Sequence, residues 1–198
     1  MLLFTDNDIL LKLANCYLLD SFVEELSLSH QEILLSPEAK FSLQIQLNKK
    51  LKSKEVKDSL SNFLTKVRYI EDPLDDDLVE SLMSVPNIDS GEAILFAKLI
   101  STEASFLATG DKRSLKAILE EVELQKFRTH FLNRVYTFES VLLFLLDRKG
   151  FLFVSSMISR NPDMNDSVLR MAFGNGRDEQ HARACLNSYS QDLLEFLV

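Results

Sequence analysis

The sequence predicts an α/β fold: a three-layer α/β/α sandwich with a central parallel sheet and a C-terminal helical extension. Two observations support this prediction. Short β-prone apolar runs alternate with segments whose apolar residues recur at helical spacing, as in parallel α/β domains. From about Gly150 onward the β-prone runs stop, and only helical segments follow. We therefore expect an α/β domain over residues 1–149 and a helical extension over residues 150–198, packed on that domain.

Four β-prone runs supply the predicted strands. They are residues 1–5, 32–36 (EILLS, closed by Pro37), 104–109 (ASFLAT) and 134–138 (RVYTF). Between and after them, apolar residues three or four positions apart indicate helices. The predicted helices are residues 7–26 (one helix or two), 38–50, 54–67, 75–83, 90–102, 112–122 and 139–148. Asp72-Pro73 and Pro86 mark breaks, because proline does not continue a helix.

The last 49 residues contain three further helical patterns, which begin at FLFVSSMISR, DSVLRMAF and EQHARACLNS. Asn161-Pro162 and the GNGR stretch at 174–177 supply the turns between them. The apolar residues expected to pack on the α/β domain are Phe151, Phe153, Leu169, Leu186, Leu193 and Phe196.

The composition indicates a soluble intracellular protein. Hydrophobic residues make up 46% of the 198 residues, which is enough for one sizeable core. The two cysteines share no motif and suit a reducing compartment. The N-terminus lacks the features of a signal peptide, and the longest apolar runs are too short to span a bilayer. We expect a cytoplasmic protein without membrane contact.

Charge is distributed unevenly along a chain whose net charge is −8. Residues 49–68 carry seven basic and two acidic side chains, and residues 71–80 carry six acids and no base. One interpretation is a segment that faces nucleic-acid phosphates through Lys49, Lys50, Lys52 and Lys54. The other is an ordinary solvated helix beside an acidic turn.

Acidic residues follow two predicted strands and open one predicted helix. Asp6 and Asp8 follow the first strand, Asp111 follows the strand at 104–109, and Glu92 lies at the start of the helix at 90. Ligands bind beyond the carboxyl ends of strands in parallel sheets, so these acids are candidates for one site. Clustered carboxylates suit Mg²⁺ or Mn²⁺, which can assist an in-line phosphodiester displacement.

Helix capping is the alternative explanation for each of these acids. Asp6 can cap a helix that begins at Asn7, and Asp111 can cap a helix that begins at Lys112. Asp89 and Glu92 have the spacing of a capping box. The sequence alone leaves the capping and metal explanations open.

Three stretches together, FTDNDILLKLANCYLLDSF, DSGEAILFAKLIS and ASFLATGDKRSL, resemble the PIN-domain family over about residues 1–142. The resemblance implies a Rossmann-like sandwich and a Mg²⁺- or Mn²⁺-dependent ribonuclease. By motif position, Asp6, Glu92 and Asp111 match the metal-binding acids, and Asp8 matches the nearby polar catalytic position. Because many bacterial members are toxins, the implied partners are single-stranded RNA, an antitoxin-like protein and a second copy of the chain.

The sequence departs from the family pattern on the helix after the second strand. The family usually has a glutamate there, and the expected position falls near Ser42. Losing one carboxylate lowers the charge of the site and its affinity for a metal ion. The alternative function is therefore a catalytically degenerate PIN-like protein that acts as a binding or regulatory module.

Overall fold

A five-stranded sheet forms the centre of the computed structural model, which describes residues 1–29, 31–51, 53–71, 74–161 and 166–198. The strands are Leu2–Thr5 (β1), Glu32–Leu35 (β2), Arg68–Tyr69 (β3), Ser105–Thr109 (β4) and Val135–Thr137 (β5). Their order is β3-β2-β1-β4-β5, and every pairing is parallel. In the central strand, Thr5 pairs with Leu35 on one side and with Ala108 on the other. The predicted parallel α/β sheet is confirmed.

Helices occupy most of the remaining described residues. They are Asn7–Asn15 (α1), Leu19–Leu28 (α2), Ala39–Lys50 (α3), Lys54–Leu64 (α4), Asp76–Met83 (α5), Ser90–Ser101 (α6), Lys112–Glu120 (α7), Phe138–Lys149 (α8), Phe151–Ser159 (α9), Ser167–Phe173 (α10) and Glu179–Ser190 (α11). Each lies within or close to a predicted helical segment. None of these helices is long and apolar enough to cross a bilayer. Lys52, Asp72-Pro73 and Pro162, which the sequence analysis singled out, lie outside the described residues.

Two elements differ from the predictions. The helix expected to reach residue 67 ends at Leu64, and the edge strand Arg68–Tyr69 follows it. A strand of two residues is too short to produce an alternating pattern, so it has no periodic signal in the sequence. The second difference is a 3-10 helix at Val122–His130, in a stretch for which no element was predicted.

The two faces of the sheet are each covered by helices, in an arrangement compatible with a three-layer sandwich. Successive side chains of β1 point to opposite faces of the sheet, so Leu3 packs in one hydrophobic cluster and Phe4 in the other. The Leu3 cluster contains apolar residues of α1, α2, α3, α4 and α8. The Phe4 cluster contains those of α5, α6, α7 and the 3-10 helix. The sheet therefore has a buried layer on both sides, as parallel sheets require.

The C-terminal helices contact both layers. Leu169 and Leu186 are buried in the Leu3 cluster with residues of α8. Leu193 and Phe196 are buried in the Phe4 cluster. Of the six apolar residues expected to make these contacts, Phe151 and Phe153 are partly buried and the other four are buried. The division into an α/β domain and an extension stays a prediction.

The final residues run along the edge strand β5. The backbone N–H of Val135 donates to the carbonyl of Phe196 at 2.8 Å, and the N–H of Val198 donates to the carbonyl of Val135 at 3.2 Å. This parallel bridge was not predicted, because the sequence analysis expected only helices after residue 150. It covers backbone groups that an edge strand would otherwise leave open.

Candidate functional site

A polar cavity of about 510 Å³ lies where β1 and β4 end. Its lining residues are Asp6, Asn7, Asp8, Lys12, Gln46, Asp89, Glu92, Gly110, Asp111 and Arg113. The structure thus brings the four predicted acids, Asp6, Asp8, Glu92 and Asp111, to one cavity. Five carboxylates and two cations line it, so its formal charge is −3. The assignment of these acids as catalytic or metal-binding residues stays a prediction.

Asp6 links the end of β1 to the start of α1. Its backbone N–H donates to the carbonyl of Ala108 at 2.9 Å, which ties the turn to β4. The residue occupies the N-cap position of α1, but its side chain makes no capping hydrogen bond. Burial, together with repulsion from Asp8, raises the pKa of Asp6 to about 6. The backbone N–H groups of Asn7, Asp8 and Gly110 favour the charged form of Asp6, but they do not offset this rise in its pKa.

The pair formed by Asp89 and Glu92 does follow the capping explanation. The Asp89 carboxylate accepts from the Glu92 backbone N–H at 2.8 Å, and the Glu92 carboxylate accepts from the Asp89 N–H at 3.0 Å. This is the capping box that the spacing suggested. Glu92 is nevertheless buried, and this burial raises its pKa to about 7.

Asp111 is a helix cap and also an ion-pair partner. Its carboxylate accepts from the Arg113 backbone N–H at 2.8 Å at the start of α7. The Arg113 guanidinium donates to both carboxylate oxygens, at 3.2 and 2.6 Å. This guanidinium holds the pKa of Asp111 below its ordinary value. At Asp111, as at Asp89, the capping explanation is correct.

Asp8 faces the turn after β4. Its carboxylate forms an ion pair with Lys12, one helical turn along α1, at 2.8 Å. A side chain at Gly110 would displace the Asp8 carboxylate, because its Cβ would lie 2.4 Å from an Asp8 carboxylate oxygen. Gly110 is thus the residue that lets Asp8 face the β4 turn.

Asn7 holds an oxygen without a hydrogen-bond partner. Its Nδ2 donates to the Ser42 hydroxyl at 2.8 Å, while its Oδ1 is buried and unpaired. Ser42 is the position at which the family resemblance implied a glutamate. A neutral amide and hydroxyl pair therefore occupies this side of the cavity, at a cost typical of an unsatisfied buried carbonyl.

Sequence reasoning passed over Asn7, Lys12, Gly110 and Arg113. The spacing of Lys12 four residues after Asp8 on one helix was a usable signal for the ion pair. The proximity of Arg113 to Asp111 in sequence was another. The unpaired oxygen of Asn7 and the close approach at Gly110 arise only from the three-dimensional packing.

The predicted nucleic-acid contacts lie outside this cavity. Lys49 and Lys54 are exposed, and neither is among the described residues that line it. Lys50 is the last residue of α3, and Lys52 lies outside the described residues. From the same part of the chain, Gln46 of α3 does reach the cavity.

The chemistry of the donors suits a hard divalent cation, since carboxylate and amide oxygens are the ligands that Mg²⁺ and Mn²⁺ prefer. In the parts of the chain that the structure describes, however, no three His, Cys, Asp or Glu side chains are grouped to hold a metal ion. The ion pairs of Asp8 and Asp111 turn these two carboxylates toward cationic side chains instead. The charges of Lys12 and Arg113 compete with a metal ion for these two carboxylates.

Comparisons of this chain with protein-family models, with curated proteins and with solved structures find no match.

Proposed function

We propose that this protein is a PIN-like ribonuclease that depends on Mg²⁺ or Mn²⁺. The observation that carries the proposal is the position of Asp6, a partly buried carboxylate with a raised pKa, in a cavity shared with Asp8, Glu92 and Asp111. Asp111 accepts a capping hydrogen bond and pairs with Arg113, whereas Asp6 occupies a cap position without a capping hydrogen bond of normal geometry. A group with a pKa raised to about 6 gains from a nearby cation.

In this proposal Asp6, Glu92 and Asp111 hold the metal ion and Asp8 orients a water molecule. When bound, the metal ion stabilises the charge that develops during an in-line phosphodiester displacement. Lys12 and Arg113 have partly or mostly exposed side chains, at 32% and 78%. Once they leave their carboxylates, these cations can contact the phosphate groups of the RNA.

The test combines thermal unfolding with RNA cleavage. Millimolar Mn²⁺ should raise the melting temperature of the wild type. At a free Mn²⁺ concentration 100 times the dissociation constant, the free energy of unfolding should increase by about 2.7 kcal/mol. Asp6→Asn should abolish both this stabilisation and Mn²⁺-dependent cleavage of single-stranded RNA. Asp192→Asn, at an exposed acid of the same chain, is the matched control and should change neither. Stabilisation by Mn²⁺ that persists in Asp6→Asn rejects the proposed site.

The second candidate function is a catalytically degenerate PIN-like binding or regulatory module. Two observations favour it. A neutral hydrogen bond between Asn7 and Ser42 lies at the position of the expected glutamate. Asp8 and Asp111 already form ion pairs with cationic side chains. Stabilisation by Mn²⁺ without any RNA cleavage is the outcome that selects this candidate.

The toxin-like role and its partners belong to the proposal as well. An antitoxin-like protein and a homodimer come from the family resemblance alone. A small antitoxin-like reading frame beside the gene supports the toxin-like role. Light scattering of the purified chain tests the dimer, and a monomeric mass rejects it.

A further inference from the structure

The outward face of α3 carries two exposed apolar side chains in a row. Phe41 is 68% exposed and Ile45 is 55% exposed. They are four residues apart, which places them on the same side of the helix and about 6 Å apart along its axis. Lys49, also exposed, continues the row by one further turn. We refer to Phe41, Ile45 and Lys49 as the α3 strip.

The α3 strip borders the side of the helix that reaches the acidic cavity. On that side, Ser42 accepts the hydrogen bond of Asn7, and Gln46 lines the cavity. Ser42 follows Phe41 by one residue, and Gln46 follows Ile45 by one, a rotation of about 100° around the helix axis. The α3 strip is therefore the next row of side chains beside the cavity.

The apolar residues of the strip are not needed for the core. A different side of α3 packs into the Leu3 cluster, through Ala39, Leu43 and Leu47. Single exposed apolar residues are common on protein surfaces. An exposed aromatic ring and an isoleucine one turn apart, beside a cavity, form a larger apolar surface that a ligand can cover.

The chain segment that carries the α3 strip is positive, although the whole chain and the neighbouring cavity are acidic. Residues 38–58 carry six lysines and three acids, against a net charge of −8 for the protein. One of these acids, Glu55, is bound by Arg160 at 2.7 and 2.8 Å. The described lysines of this segment that take part in none of the ion pairs are Lys40, Lys49, Lys54 and Lys57. Their charge is complementary to a polyanion.

We propose that the α3 strip binds single-stranded nucleic acid, with Phe41 stacked on a base and Lys49 next to a phosphate. This inference rests on the proposed function. It names the surface that would bind the RNA next to the acidic cavity. Surfaces that combine exposed aromatic rings with cations bind single strands, whose unpaired bases can stack. A duplex would keep its bases out of reach of Phe41.

The experiment measures the binding of a short fluorescein-labelled single-stranded RNA of mixed sequence to the full-length chain in EDTA, so that the probe stays intact. Phe41→Ala should weaken binding by about 5- to 150-fold, the range expected for the loss of one stacked base. Phe41→Tyr keeps an aromatic face and should bind like the wild type. Leu152→Ala removes an exposed apolar residue on α9, which is 84% exposed and lies outside the α3 strip, and should have no effect.

Each other outcome has a definite meaning. Equal binding by Phe41→Ala and the wild type overturns the inference, even if the wild type cleaves RNA with Mn²⁺. RNA binding that depends on Phe41, in a protein that never cleaves RNA, keeps the inference and rejects the nuclease. A wild-type dimer that Phe41→Ala converts to a monomer, with unchanged RNA binding, makes the strip a protein interface and overturns the inference.

Discussion

Asp6 is a partly buried acid whose charged form is disfavoured in the folded protein. Its pKa is raised from 3.8 to about 6, chiefly by burial. Between these values the folded state keeps a proton that the unfolded state has released. The stability of the fold therefore decreases as the pH rises through this window. Asp6 has no effect on stability below about pH 4, and its destabilising effect is largest above about pH 7.

A pH series tests this effect. Asp6→Asn cannot ionise, so its stability relative to the wild type should improve by up to about 3 kcal/mol between pH 4 and pH 8. Urea unfolding of both proteins in EDTA at each pH gives the two free energies of unfolding. A difference between the proteins that does not change with pH contradicts the raised pKa of Asp6. Added Mn²⁺ should reverse the trend in the wild type only.

Arg113 is the cation that competes most directly with a metal ion for Asp111. Its guanidinium contacts both carboxylate oxygens, yet the side chain is 78% exposed, so solvent screens the pair. Arg113→Gln should therefore lower the Mn²⁺ concentration at half-maximal stabilisation by about two- to fivefold. Arg128→Gln, which removes a similar pair with Glu195, is the control. An unchanged or higher midpoint in Arg113→Gln shows that the ion pair does not oppose metal binding.

The acids of the cavity were predictable from sequence because their positions depend on topology alone. Each follows a strand or opens a helix, and parallel strands place such residues at one edge of the sheet. The direction in which each carboxylate points was not predictable. It depends on competition between the capping N–H groups, Lys12 and Arg113, which only the folded geometry decides.

At the scale of elements, strands and helices with several turns of regular periodicity were predicted within a few residues. The short strand Arg68–Tyr69 and the 3-10 helix Val122–His130 were not, because neither has a repeating apolar pattern. The alternation of strands and helices was sufficient to predict the parallel sheet. This alternation did not predict the C-terminal tail, residues 191–198, which forms a bridge with β5.

The helices α3 and α4 carry exposed lysines, and their positive charge decides whether they can bind RNA. Lys49 and Lys54 are exposed and lie at the end of one helix and the start of the next. If both contact phosphates, replacing both with glutamine should reduce the slope of log affinity against log salt by about 1.4 for single-stranded RNA. Lys126→Gln, at an exposed lysine of the 3-10 helix, should leave the slope unchanged. An equal slope in the double variant supports the alternative of a solvated surface.

At the scale of the whole molecule, the C-terminal tail joins layers that lie on opposite faces of the sheet. The helices α10 and α11 pack in the Leu3 cluster, whereas Leu193 and Phe196 reach the Phe4 cluster. The ring of Phe196 lies 5.6 Å from the ring of Phe131, which in turn contacts Phe96 at 5.2 Å. The tail thus fixes the 3-10 segment, the edge strand and α6 at the same time.

This arrangement predicts that the tail stabilises the entire fold and not only its own helices. Phe196 is fully buried, so Phe196→Ala should cost about 3–5 kcal/mol and lower the melting temperature by about 2–4 °C for each kcal/mol. Leu194 is 59% exposed in the same tail, and Leu194→Ala should change the melting temperature little. The backbone bridge between the tail and β5 should remain in Leu194→Ala, because it uses no atoms of that side chain. Thermal unfolding followed by circular dichroism distinguishes the two variants. Equal melting temperatures would show that the tail is an appendage whose packing does not stabilise the sheet.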